Sequence, residues 1–417
     1  MPPRFFRSGE IYYGWVIVAV VFITLFLVLG FRFSFGVFYV AILDDTGWQR
    51  GETAAIFSTA MITYALTSLL SGALFDWFGP RVLFPAGALV LGVGLLLCGT
   101  IQRIWEFYLY YGVVVGVAFS MLGFIPHMAF VPRWFVKRRG LATAIALSGV
   151  GLGSLGMAVF SEKMIEWLGW RTTLWVIGVI AMVVLIPLTA IFHRKSPAAM
   201  GLFPDGLPGH PQGGNDGAPT GLNILAAFRH PAFWLLFLVV TMVGVGNMTL
   251  VVHQTRLLVD MGHSLTLAAT LFGMTGLMRS VGGLIWGPLS DRIGRGPCIA
   301  MITLCGGIGI SLLLYAQQTP NLWPVFGFVL FWGIGFYGMT PIYVTTVASH
   351  FQGKHLGKII GFLDQGFGIG SAAGPFLAGL AFDRFGTYEP ALWGLLGVVA
   401  ISGLGLWAAS SWPAAAD

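Results

Sequence analysis

Gly72-Ala-Leu-Phe-Asp76-Trp-Phe-Gly79-Pro-Arg81 has a counterpart further along the chain, Gly287-Pro-Leu-Ser-Asp291-Arg-Ile-Gly294-Arg-Gly. The Gly, Asp and Gly positions match at an offset of 215, and each copy lies where one long apolar run ends and another begins. A second set keeps an offset of 217: Lys137, Gly140 and Gly149 match Lys354, Gly357 and Gly366. The same residues at matching positions in both halves indicate an internal duplication.

The composition predicts a membrane protein. Hydrophobic residues make up 57% of the 417 residues and charged residues 9%, whereas about 25% of an average soluble protein is charged. A helix needs about 20 apolar residues to cross the hydrocarbon core, and twelve runs meet that length. They cover residues 13–40, 53–75, 81–101, 105–131, 140–161, 171–192, 232–258, 266–289, 297–317, 322–348, 357–381 and 390–410.

The Pro- and Gly-rich segment 194–231 separates the sixth run from the seventh. It has too few apolar residues to bury a core, so it is predicted to be a cytoplasmic linker between bundles 1–193 and 232–417. The three cysteines lack metal-ligand spacing, so neither a metal site nor a cofactor is predicted. The basic residues are spread along loops rather than grouped on one face, which argues against a nucleic-acid partner.

The distribution of Lys and Arg predicts the orientation in the membrane. With a cytoplasmic N-terminus, fourteen of the 22 basic residues fall on the cytoplasmic side and six on the opposite side. Because positive charge favours the cytoplasmic side, both termini are predicted to be cytoplasmic. The expected location is the cell inner (plasma) membrane, as a multi-pass protein.

The two repeated turns carry the first resemblance to a known family. Their carboxylates can accept hydrogen bonds at helix N-termini and pair with arginine. This pattern resembles the helix 2–3 signature of the major facilitator superfamily, where it acts as a conformational latch. The resemblance implies an all-α membrane protein with twelve transmembrane helices in two pseudo-symmetric six-helix bundles. It assigns latch roles to Gly72, Asp76, Gly79, Arg81, Gly287, Asp291, Arg292, Gly294 and Arg295.

A basic segment before the fifth run narrows the resemblance. Arg133-Trp-Phe-Val-Lys137-Arg-Arg-Gly140-Leu-Ala is similar to the helix 5 signature of the monocarboxylate transporter family, and Tyr12-Tyr-Gly-Trp15 resembles the start of helix 1 in its bacterial relatives. The resemblance implies a proton-coupled secondary active transporter of small monocarboxylates such as lactate or pyruvate, working as a monomer in the lipid bilayer rather than as an enzyme. An oxalate- or formate-type organic anion exchanger is the alternative.

Arg279 is the principal candidate for binding the substrate. It lies near the middle of the eighth run, where an arginine costs at least about 2.5–3.5 kcal/mol on insertion scales. Its planar guanidinium can form two parallel hydrogen bonds with a carboxylate, although backbone carbonyls could also accept its hydrogen bonds. The resemblance implies the same role, because a helix 8 arginine binds the carboxylate in that family. Animal members have an aspartate four residues earlier, where this chain has Thr275.

Two titratable residues are candidates for proton coupling. Asp364 lies inside the eleventh run, where it could carry a proton, pair with a base or make a packing contact. His127 lies in the fourth run, where a histidine could titrate or simply bond to the backbone.

The remaining predicted substrate contacts are weaker. Arg32 could guide anions into a cavity or snorkel to the interface. Asn247 is a polar residue in an apolar run and needs a partner. Aromatic side chains could hold a short carbon tail, or could be lipid or packing residues. These aromatic candidates are Phe331, Phe336, Tyr337 and Phe362.

Overall fold

The computed structural model describes residues 12–206, 224–351 and 356–412. Every regular element in these ranges is helical. The centre of the predicted linker and Lys354 of the second basic segment lie outside the described residues.

Ten helical stretches of the described chain are long and apolar enough to cross a membrane. One of them, Arg139–Phe192, has 54 residues and is divided by Gly169, whose φ of 75° and ψ of 162° are not helical. A further helix, Leu356–Phe385, has 30 residues and includes Lys358, Asp364 and Gln365. The twelve helices are α1 (Tyr13–Thr46), α2 (Arg50–Phe78), α3 (Pro80–Cys98), α4 (Ile104–Arg133), α5 (139–168), α6 (170–192), α7 (Pro231–Asp260), α8 (Leu265–Ile293), α9 (Arg295–Ala316), α10 (Trp323–His350), α11 (Leu356–Phe385) and α12 (Glu389–Ser411).

The repeated turns have the same backbone shape in both halves. Gly79 between α2 and α3 has a φ of 75°, and Gly294 between α8 and α9 has a φ of 87°. A side chain is strained in this region, which explains why both copies have glycine here. Gly169 and Gly386, at φ values of 75° and 73°, repeat the correspondence between other helices. The sequence repeat is therefore a repeat of structure.

Local irregularities decide which way several side chains point. α1 is interrupted at Ser34, whose hydroxyl donates to the carbonyl of Gly30 over 2.7 Å. α10 contains a π-helical segment, Phe331–Gly335, followed by a 3₁₀ turn, Phe336–Gly338. A π-helical or 3₁₀ turn changes the number of residues per turn. The side chains that follow it therefore point in different directions from those of a regular α-helix.

The helices pack as two groups, each around its own buried apolar cluster. α1 to α6 supply most of one cluster, and α7 to α12 supply the other. The groups meet through α2 against α11 and through α5 against α8. Gly368 of α11 lies against Ala65 of α2, and Gly276 of α8 lies against Ser154 of α5. Small residues allow this close approach between helices.

Among the described residues, ion pairs join the two bundles at one end of the molecule only. Gly72, Gly140, Gly287 and Gly357 lie at the end without such pairs. At the opposite end, a Cβ at Gly379 of α11 would lie 2.7 Å from the Cα of Gly51 of α2. We call these the open end and the closed end.

The described start and finish of the chain both lie at the open end. Tyr13, at the start of α1, donates to the carbonyl of Phe192 at the end of α6 over 2.8 Å. His350, at the end of α10, bonds to the carbonyl of Ala409 near the end of α12. The end at which no described ion pair joins the bundles is therefore on the side where the described chain starts and finishes.

Candidate functional site

Arg279 of α8 projects into the space between the bundles. Its Cζ lies 3.8 Å from the ring centroid of Tyr337 in α10 and 4.4 Å from that of Phe33 in α1. Cation–π attraction to these rings holds the guanidinium in place. Its buried Nε has no hydrogen-bond partner, and no described carboxylate forms an ion pair with it. The arginine is thus positioned by both bundles but not neutralised.

Arg32 of α1 supplies a second cation. The residue is only 4% exposed, and its Nη2 lies 2.8 Å from the Sδ of Met61. The Cζ lies 4.6 Å from the ring centroid of Tyr64 in α2. Because α1 extends to Thr46 instead of ending near residue 40, Arg32 is close to the middle of the helix and does not snorkel to the interface.

Asp364 of α11 lies near this second cation. Its carboxylate interacts electrostatically with Arg32 and with the hydroxyls of Tyr64 and Tyr343. One of its oxygens, Oδ2, is buried without a hydrogen-bond partner in the described chain. The adjacent Gln365 donates to the Oγ of Ser68 in α2 over 3.3 Å. The structure therefore places this acid where α11 faces the first bundle.

Polar residues of α7 extend the site. The side chain of Asn247 is buried, and its Oδ1 has no partner among the described residues. Gln254, two helical turns further along the same face, donates to the Oγ1 of Thr275 over 3.1 Å. Thr275 links α8 to α7 and carries no charge.

The predicted aromatic contacts separate into different environments. Tyr337 lies against Arg279, as described above. Phe336 is fully buried inside the second bundle and stacks on Trp332 with ring centroids 4.4 Å apart, so it does not line the space between the bundles. Phe362 packs edge-on against Phe228, outside this group. No described ring or cation contact joins the half-buried Phe331 to Arg279.

His127 lies away from both arginines. Its Nδ1 bonds to the carbonyl of Gly123 over 2.8 Å, and its ring stacks on Phe84 at a centroid distance of 4.4 Å. These contacts are inside the first bundle. The structure does not bring His127 together with Arg279 or Asp364.

The repeated turns lie at the open end and make contacts within their own bundles. Asp76 pairs with Arg133 at 3.2 Å, and Arg81 donates to the carbonyl of Ala190 over 2.8 Å. In the second bundle, Arg295 donates to Ser349 over 2.9 Å. Asp291 and Arg292 are exposed and form no ion pair with described residues. The contacts described here lie within one bundle each and do not connect the two bundles.

A network of charges at the closed end was not predicted from the sequence. Arg50 of α2 pairs with both carboxylate oxygens of Asp260 in α7. Asp260 also accepts from Arg256 over 2.9 Å, and Arg256 in turn pairs with Asp44 of α1. Asp383 of α11 accepts from the backbone N–H of Arg50 over 3.0 Å. We call these five residues the closing network, because they join α1 and α2 to α7 and α11.

Aromatic side chains cover the closing network from within. The guanidinium of Arg50 lies over Phe382, with its Cζ 3.5 Å from the ring centroid. His253 of α7 bonds to the hydroxyl of Tyr388 over 3.0 Å and to the carbonyl of Pro375 over 2.8 Å. Tyr39 of α1 packs edge-on against the His253 ring. Access from the closed end is therefore blocked by ion pairs and packed rings together.

Comparison with known proteins places this architecture among transporters. The sequence matches the family profile of the Major Facilitator Superfamily over residues 21–375 and 280–416. Monocarboxylate transporter 13 of Bos taurus is 27% identical over 381 residues, which are 90% of this chain and 84% of the relative. The uncharacterized MFS-type transporter YhjX of Escherichia coli is 24% identical over 344 residues, 82% of each chain.

One solved structure shares the fold over almost the whole length. It is a bacterial homologue of the human lysosomal transporter Spinster in an inward-facing and unoccupied conformation. The TM-score is 0.73 at 17% identity, covering 98% of this chain and 100% of the other.

Proposed function

Because this chain belongs to the major facilitator superfamily and is a multi-pass membrane transporter, we propose that it carries small monocarboxylates of the lactate and pyruvate type together with protons. The observation that carries the proposal is the guanidinium of Arg279, which is held between Phe33 and Tyr337 and forms no ion pair with a described carboxylate. The similarity of the whole chain to a monocarboxylate transporter supports the same substrate class.

The substrate carboxylate pairs with the guanidinium of Arg279 in this proposal. A bidentate pair would use the hydrogen-bonding capacity that no described carboxylate uses. The rings of Tyr337 and Phe33 provide an apolar surface for a short carbon tail. The unpartnered Oδ1 of Asn247 is a candidate acceptor for a substrate hydroxyl.

Asp364 accepts and releases the transported proton. When it is ionised, its charge opposes that of Arg32, with which it interacts. When it is protonated, the positive field of Arg32 is available to the incoming anion. Protonation and anion binding therefore favour each other, which is the coupling that a symporter requires.

Transport proceeds by alternating access, in which one bundle rocks against the other. We propose that the bundles are residues 1–193 and 232–417, joined by the cytoplasmic linker 194–231. With both termini cytoplasmic in the inner (plasma) membrane, the open end faces the cytoplasm and this state is inward-facing. The repeated turns around Asp76 and Asp291 then act as latches when the open end closes. The unit that performs this cycle is the monomer.

A specific observation favours the second candidate, an exchanger for oxalate-type anions. Arg32 and Arg279 face one space from opposite bundles and influence each other electrostatically. Two cations so placed could bind both ends of a dianion. This alternative requires Asp364 to act as a counter-charge for Arg32 rather than as a proton carrier.

We expect Asp364→Asn to abolish stimulation of labelled L-lactate uptake by an inward proton gradient, while lactate–lactate exchange continues. Asparagine keeps the side-chain shape but cannot carry the transported proton. The measurement is uptake into proteoliposomes, with and without the gradient and with internal lactate. Glu166→Gln, which changes an exposed acid paired with Lys163, is the control and should retain the stimulation.

Gradient-stimulated uptake by Asp364→Asn at the wild-type level would exclude Asp364 as the proton carrier. Wild-type protein that takes up lactate only against internal anions, with no response to the gradient, would instead establish the exchanger.

A further inference from the structure

A separate group of cations lies on the first bundle at the open end. A cleft of about 550 Å³ is formed where the α2–α3 turn approaches the chain that follows α6. Arg81, Arg194 and Lys195 line it together with Phe78 and Met200. Met200 packs against the buried cluster of the first bundle, so this wall of the cleft is fixed to the helices.

No described carboxylate neutralises the positive charge of the cleft. None of the three basic side chains forms an ion pair with a described carboxylate. The closest acid in sequence to Arg81 is Asp76, which pairs with Arg133 instead. Helix α3 begins at Pro80 in the wall of the cleft, and the positive end of its dipole adds to the field. The positive field of these groups would favour an anion in the cleft.

The surroundings of the cleft are apolar. Phe78 in its wall and the neighbouring Trp77 and Val82 are exposed, Trp77 to 76%. Aromatic residues at the ends of transmembrane helices sit at the level of lipid headgroups. A ligand that combines an anionic head with apolar chains would satisfy both the basic wall and this rim.

We propose that the cleft binds the phosphate headgroup of an anionic phospholipid in the leaflet at the open end. Basic pockets beside transmembrane helices are suited to such headgroups. Arg194 and Lys195 would contact the phosphate, and the acyl chains would run along the exposed apolar side chains. Arg81 belongs to the same turn as Asp76, so bound lipid would steady that turn.

The test is lipid titration of purified protein by native mass spectrometry, comparing phosphatidylglycerol with phosphatidylcholine of the same chains. Each basic residue near an anionic lipid contributes about a factor of five in affinity. Arg194→Gln/Lys195→Gln should therefore bind phosphatidylglycerol roughly 25-fold more weakly than wild type. The control is Arg138→Gln/Lys358→Gln, which removes two exposed charges at the same end that do not line the cleft.

Three outcomes would overturn the proposal. Wild-type protein could bind the two lipids equally, or the cleft variant could match wild type, or the control variant could lose as much affinity. Displacement of phosphatidylglycerol by millimolar glycerol phosphate would assign the cleft to a soluble phosphate instead. If the double variant aggregates, Lys195→Gln alone should weaken phosphatidylglycerol binding about fivefold.

Discussion

With Arg279 replaced by glutamine, we expect proteoliposome uptake of L-lactate to fall at least about thirtyfold at equal protein. Removing one partner of a desolvated charge pair costs about 2–5 kcal/mol, and each 1.4 kcal/mol is about tenfold in affinity. Glutamine retains hydrogen-bonding groups but has neither the positive charge nor the bidentate geometry of the guanidinium. The loss should appear in both gradient-driven uptake and exchange, because both need the carboxylate to bind.

Two further variants separate binding from folding. Arg279→Lys keeps the charge but loses bidentate geometry and stacking between Phe33 and Tyr337, so it should recover only part of the activity. Phe362→Ala removes an aromatic ring that packs on Phe228 away from the guanidinium, and it should transport normally. Normal uptake by Arg279→Gln would show that this arginine does not bind the substrate.

The second large effect concerns the closing network. We expect Asp260→Asn to shift the population from the state closed at this end toward the state open at this end by about thirtyfold. The substitution breaks the pairs with both Arg50 and Arg256. An exposed pair is worth at most about 1 kcal/mol and breaking a buried pair costs 3–5 kcal/mol. The side chains of Asp260 and Arg50 are 27% and 13% exposed, between these two cases. We therefore expect the loss of the pairs to destabilise the closed state by about 2 kcal/mol.

The shift can be measured by pulsed electron paramagnetic resonance between spin labels at Arg103 and Gln318. These exposed sites lie beyond the closed ends of α3 and α9 in opposite bundles. The control is Asp45→Asn, because Asp45 of α1 pairs with Arg171 of α6 at the same end but within one bundle. Equal distance distributions for wild type and Asp260→Asn would show that the network does not hold this end closed.

The twelve-helix order could be predicted from the sequence because membrane insertion depends on length and hydropathy, which are local properties. The repeated turns were recognisable for a similar reason, since only glycine fits the positive φ at Gly79 and Gly294. The end of α1 that the sequence predicts, near residue 40, is too early because Asp44 and Asp45 lower the local hydropathy. In the structure both acids are still helical and are paired with arginines from other helices.

Only some residues of the candidate site could be predicted from the sequence. A lone arginine in an apolar run draws attention to Arg279, but which aromatic residues surround it depends on helix rotation. The π-helical segment of α10 turns Phe336 into the bundle core while Tyr337 faces the arginine. The closing network could not be foreseen, because its pairs join residues such as Arg50 and Asp260 that are 210 positions apart.

Two arginines and one aspartate also determine how the membrane potential acts on the carrier. With Asp364 ionised and no substrate bound, Arg32, Arg279 and Asp364 sum to one positive charge. With Asp364 protonated and a monocarboxylate bound, the sum is again one. The potential, worth about 2.3 kcal/mol per unit charge at 100 mV, therefore does opposite work in the loaded and empty half-cycles. In the proposed symport the complete cycle would therefore be electrically silent, whereas exchange of oxalate for formate would carry current.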